Sequence, residues 1–115
     1  MDELKEWLAT DGFKFENNWL TVDINDCKWY AWRKTKLESM ECDCNQWKGI
    51  QIIVKPYFFK IDGVRNKSVE VELSGEHKGV WFKIMAYSID ASDLPIKLPD
   101  IERSLINGWN ALCFG

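Results

Sequence analysis

Apolar positions change period along this chain, and each change marks a predicted element. Leu4, Trp7 and Leu8 fall at i, i+3, i+4 among Asp2, Glu3, Lys5 and Glu6, the stripe of a short amphipathic helix closed by Gly12. "FKFENNWLTVDI" then alternates on both sides of Asn17-Asn18, predicting a tight hairpin whose second strand lines up Leu20, Val22 and Ile24. "KWYAWRKTK", Lys28 to Lys36, reads as a further strand because its aromatic content favours a pleated surface over a helix. "LESMECDCNQ" has weak periodicity and reads as a loop or an irregular edge.

"IQIIVKPYFFKI" predicts a long strand that Pro56 confines to a sheet edge or forces into a bulge, since proline has no N–H to donate. Asp62-Gly63 turns the chain into "SVEVEL", with Val69, Val71 and Leu73 on one side and Glu70 and Glu72 on a wet side. "SGEHKG" is the next turn and "VWFKIMAYSI" the last strand. Pro95 and Pro99 mark a stiff connection to a helix built on Ile101, Leu105, Ile106, Trp109 and Leu112, with Asp100 and Glu102 in its first turn. The order predicts an α+β fold: a curved antiparallel sheet of about five or six strands with an N-terminal and a C-terminal helix packed on one face. Residues 1–115 are expected to form one globular domain.

Composition adds limits. A hydrophobic share of 46% with 29% charged residues is that of an ordinary folding domain. No stretch approaches the ~20 apolar residues of a membrane span, and the first residues lack the basic, then apolar, pattern of an export signal. A cytoplasmic location is therefore expected, with the four cysteines as free thiols. The formal charge of −3 argues against a protein built to coat a phosphate backbone.

Enzyme motifs are missing from the sequence: no glycine-rich phosphate loop, no His-Glu-x-x-His, no nucleophile elbow. The one histidine, His77, sits in "GEHKG" and reads as a solvated turn residue. Glu70 and Glu72 share a strand face, as a solvated pair. Cys42-Asp43-Cys44 offers two thiolates that Cys27, Cys113 or His77 could join around zinc, but one intervening residue favours a strand over the turn that aims two sulfurs at one ion. No metal and no cofactor are expected.

The chemistry worth testing lies in Lys28–Lys36. In a strand, Lys28, Tyr30, Trp32, Lys34 and Lys36 share one face, and Trp29, Ala31, Arg33 and Thr35 the other. The first face alternates cation with ring, as a single-stranded nucleic-acid track does. Its flanks, however, are acidic: Asp23 and Asp26 before, Glu38, Glu41 and Asp43 after. Mixed charge around tryptophan and tyrosine suits a specific protein partner better than a polyanion. The chain resembles, in composition only, the immunity proteins of bacterial toxin systems and small phage-encoded inhibitors, a likeness of class that transfers no residue roles. The expected function is a non-enzymatic protein-binding module that blocks a partner's functional surface through Lys28, Tyr30, Trp32, Lys34, Asp23, Asp26, Glu38, Glu41 and Asp43. The alternative is a single-stranded nucleic-acid binder using the same strand. Trp29 is expected inside and Trp32 outside, because Lys28, Lys34 and Lys36 flank the latter while Ala31 and Thr35 accompany the former.

Overall fold

A computed structural model describes residues 2–17, 29–35 and 47–114. The elements run α1 (Asp2–Thr10), β1 (Lys14–Asn17), β2 (Trp29–Lys34), β3 (Trp47–Ile61), β4 (Val64–His77), β5 (Val80–Asp90), a 3-10 turn (Ala91–Asp93) and α2 (Leu94–Phe114). All neighbouring strands are antiparallel and their spatial order is their chain order, β1-β2-β3-β4-β5. The fold is mixed α+β, and its antiparallel sheet is open and not strongly curled.

Helix α1 is closed by main-chain geometry. Gly12 sits at φ 90°, its N–H donates to the Ala9 carbonyl, and the Phe13 N–H donates to the Leu8 carbonyl. This pair of bonds is the Schellman arrangement, which needs a residue at ease with positive φ and brings the side chains at its two ends together. Leu8 and Phe13 are accordingly both buried in the core.

Two tight turns set the register of the long strands. Asp62 and Gly63 have φ of 50° and 79°, and Lys78 and Gly79 of 52° and 81°. Positive φ at both central residues is what a two-residue hairpin of right-handed twist requires. Ile61 therefore faces Val64, and His77 faces Val80. The "SGEHKG" turn thus contracts to Lys78-Gly79, and His77 belongs to β4.

With that register one face of the sheet is apolar. Ala31, Ile50, Ile52, Val54, Val69, Val71 and Leu73 join Leu8 and Phe13, and α2 contributes Leu94, Leu98, Leu105, Ile106 and Trp109 to the same buried cluster. Helix α2 starts at Leu94 and so includes both prolines of the expected connection. Pro95 lies in the first turn, where an N–H has no helical acceptor to lose. Pro99 removes a bond further in, but on the exposed side, where water can reach the freed carbonyl.

Strand β1 pairs with β2, Asn17 lying opposite Trp29. Leu20, Val22 and Ile24, placed in the second strand of the expected hairpin, lie outside the described residues, as does "LESMECDCNQ". Strand β3 is the middle strand, not an edge. The β2–β3 pairing ends at Ala31↔Val54, before Pro56, so the proline stands where β4 is the paired neighbour. The β3 irregularity falls between Lys48 and Gln51 instead.

Arg33 links the pieces. Its guanidinium donates to both carboxylate oxygens of Glu102 at 3.0 and 2.8 Å and to Asp11 Oδ2 at 3.0 Å, and it lies 4.7 Å from the centre of the Phe13 ring. Burial works against its charge, but the hydrogen bonds and charges of Glu102 and Asp11 prevail and raise its pKa further. Removing one partner of a buried pair strands the other charge, so Glu102→Ala is expected to cost about 3–5 kcal/mol in urea denaturation. The double variant Arg33→Met/Glu102→Leu is expected to cost less than Glu102→Ala alone, because the two most buried charges leave together and only the more exposed Asp11 loses its bond from Arg33.

Candidate functional site

The face of the sheet turned away from the core cluster carries the residues of interest. Strand β1 places Lys14 opposite Trp32 and Glu16 opposite Tyr30. Trp32 then faces Ile53 of β3, Ile53 faces Glu72 of β4, and Lys55 faces Glu70. Across the sheet the order is cation, ring, aliphatic side chain, acid.

Alternation in β2 follows the expected assignment. Ala31 and Arg33 are buried, Trp29 packs against the core, and Tyr30, Trp32 and Lys34 lie on the other face. Trp32 is half-buried. Lys14 Nζ sits 5.2 Å from the centre of its ring, and its Nε1 donates a long 3.4 Å bond to Glu16 Oε1. Trp29 meets Phe15 edge to face at 5.4 Å, with Lys5 Nζ near both rings. Of the expected binding residues, the structure brings Tyr30, Trp32 and Lys34 together; Lys28, Asp23, Asp26, Glu38, Glu41 and Asp43 lie outside the described residues.

The wet face expected of β4 is corrected at Glu72. This carboxylate is 2% exposed, as is neighbouring Ser74 at 1% and Ile53 at 6%. Ser74 Oγ donates to Glu72 Oε2 at 2.9 Å, and Lys55 Nζ meets Oε1. The lysine contact is an ion pair without hydrogen-bond alignment, since Oε1 has no geometric donor. Beside it, Lys83 Nζ donates to Glu70 Oε1 at 2.8 Å. That hydrogen bond raises the Lys83 pKa against its slight burial. Tyr57 completes the group; burial first, then the negative charge of Glu70, raises its phenol above 10.0, with Lys55 and Lys83 pulling the other way. Alternation alone could place Glu72 on this face but could not show that the face is covered there.

His77 is also corrected. It stands at the end of β4 with its ring 4.9 Å from that of Trp47, which in turn meets Phe82 at 6.0 Å and Trp109 at 5.2 Å. Beside this stack Val80, Trp81 and Phe82 remain about half exposed. Sequence reasoning missed that exposure, although the signal was present: the last strand of a meander is an edge.

Among the described residues no group of three His, Cys, Asp or Glu side chains is placed to hold a metal ion. Cys27, Cys42 and Cys44, three of the four thiols weighed for zinc, lie outside those residues. Among the described residues no helix is long and apolar enough to cross a membrane.

The phenol of Tyr57 gives a readout of this face. Its folded pKa is raised, so above pH ~10 the unfolded chain gives up this proton more readily than the native one and binds fewer protons. Stability therefore falls as pH rises through that range, and Tyr57→Phe is expected to make the fall shallower in urea midpoints measured against pH. The same variant is expected to remove a phenolate absorbance component with its midpoint above 10.0. The chain matches no protein-family model, no curated protein and no solved structure, so its functional reading rests on this geometry.

Proposed function

We propose that this chain is a non-enzymatic protein-binding module, a small inhibitor or immunity-type protein that covers a partner's functional surface with the sheet face bearing Tyr30, Trp32 and Lys34. In this reading both helices cover the opposite face. Leu8 of α1 shares its buried cluster with α2, and Arg33 reaches both Asp11, beyond α1, and Glu102.

The observation that carries the proposal is how this face disposes of its charge. Lys55 is paired with Glu72 and Lys83 with Glu70, so cations that could have met phosphates are matched by acids of the same sheet. What remains is a ring-rich surface of mixed charge, the composition of specific protein interfaces. Asp23, Asp26, Glu38, Glu41 and Asp43 flank β2 in sequence and would add negative charge suited to a basic partner, such as the cleft of a nuclease. The nucleic-acid alternative would instead use Trp32 as a stacking platform with Lys14 and Lys34 as its cations.

Two variants separate binding from folding. Trp32→Ala is expected to lower stability by about 1 kcal/mol, the scale of a cross-strand pair, and to weaken capture of the partner by about 2 kcal/mol or more. Trp29→Ala, on the core side, is expected to cost about 3 kcal/mol of stability. A tagged chain with the Trp32→Ala form as control identifies the partner. Oligonucleotides at low salt are expected to leave tryptophan fluorescence unchanged; quenching that falls steeply with added salt would transfer the function to the nucleic-acid reading.

A further inference from the structure

Strand β5 is eleven residues long, pairs with β4 along one side, and among the described residues has no strand on its other side. An uncovered edge of that length presents a row of unpaired N–H and C=O groups, a template for another strand. Proteins usually blunt such an edge with charge, proline or a bulge. Here those devices are confined to the ends: Ile84 is the extra residue between the pairs Leu73↔Met85 and Ser74↔Lys83, next to Lys83, and Asp90 is the last residue of the strand. From Met85 to Ile89 the edge carries no charge and no proline.

We infer that β5 pairs antiparallel with β5 of a second copy, about a two-fold axis through Tyr87, and joins the two sheets into one. This interface lies along the β5 edge, away from Trp32, and of the residues that carry the proposal above it uses Lys83 alone. The choice of occupant comes from self-complementarity. Opposed residues in an antiparallel pair share a face, and a two-fold pairing must satisfy every contact twice. With Tyr87 on the axis, Ser88 lies opposite Ala86 of the second copy and Ile89 opposite Met85. The extra residue Ile84 then brings Asp90 opposite Lys83, so the strand ends carry two identical opposite-charge pairs. Tyr87 is 48% exposed, and Ile89 and Met85 are partly buried apolar side chains on its face. Asp90 makes no side-chain capping bond at the following 3-10 turn, and Lys83 keeps half its side-chain surface beyond its bond to Glu70. The same register sets exposed Val80, Trp81 and Phe82 alongside the Ala91–Asp93 turn of the second copy, adding apolar area beyond the paired segment.

Sedimentation across a concentration series tests the pairing. The wild-type chain is expected to shift from monomer to dimer below a concentration of about 1 mM. Asp90→Lys places lysine opposite lysine, and Lys83→Glu places acid opposite acid; each alone is expected to weaken the dimer at least about tenfold, like charges directly opposite being unfavourable. Mixed in equal amounts, the two variants set the introduced lysine of one against the introduced glutamate of the other, while the native Lys83 and Asp90 that remain face each other at the opposite end. They are expected to form a heterodimer where neither alone forms a homodimer. Melting temperatures show whether each variant is folded. Independently of any variant, amide exchange in wild-type Met85–Asp90 is expected to slow as concentration rises. A wild-type chain that stays monomeric at about 1 mM overturns the inference. So does a dimer indifferent to both charge reversals, or concentration-dependent protection that spares β5.

Discussion

A fork of hydrogen bonds from one buried guanidinium holds this fold in register. Arg33 projects from β2 into the core side of the sheet, where its charge would be prohibitive alone, and there it meets Glu102 of α2 at both oxygens and Asp11 just after α1. Three parts of the chain distant in sequence are thereby fixed at one point. Arginine suits this position because its planar fork binds one carboxylate with two bonds and still offers a third, while its flat face lies against Phe13. Its Nε remains without an acceptor, so the guanidinium is held through its two terminal nitrogens, which donate to Glu102, Asp11 and the Lys34 carbonyl. Such a pair adds little net stability over an apolar replacement, but it penalises any arrangement of the helices that leaves a charge unmatched.

Commitment of one face to the core leaves the other to manage its own surface. Ile53 and Glu72 lie side by side across β3 and β4 and are nearly inaccessible, so the acid is matched by Lys55 and Ser74 instead of by solvent. Glu70 and Lys83 repeat the device one strand over, in a more exposed setting. The rings gather on the β1–β2 side of this face and the matched charges on the β3–β5 side. That division gives the face its mixed character.

The far end of the sheet is organised by rings. Trp47 stands between His77, Phe82 and Trp109, joining the start of β3, the end of β4, the start of β5 and α2. Trp109 is buried while Trp81 and Phe82 remain about half exposed, so the stack grades from core to surface. The neighbouring edge of β5 inherits apolar side chains that a central strand would have covered. Among the described residues this last strand of the meander has a neighbour on one side only.

Local physics decided much of this protein directly from sequence. The stripe Leu4, Trp7, Leu8 closed by Gly12, the pairs Asp62-Gly63 and Lys78-Gly79, and the alternation of Val69, Val71 and Leu73 are each settled within a few residues by side-chain period and backbone φ. Ala31 inward and Trp32 outward followed from the same rule. What escaped was every property fixed by a distant neighbour. Glu72 alternates like a surface residue yet is buried, Glu102 looks like a helix-start acid yet pairs with Arg33, and Pro56 reads as an edge residue yet sits in the middle strand where the β2 pairing has ended. Period tells which way a side chain points, but whether that direction meets water, a charge or another strand depends on elements far away in the chain, and tertiary structure decides it.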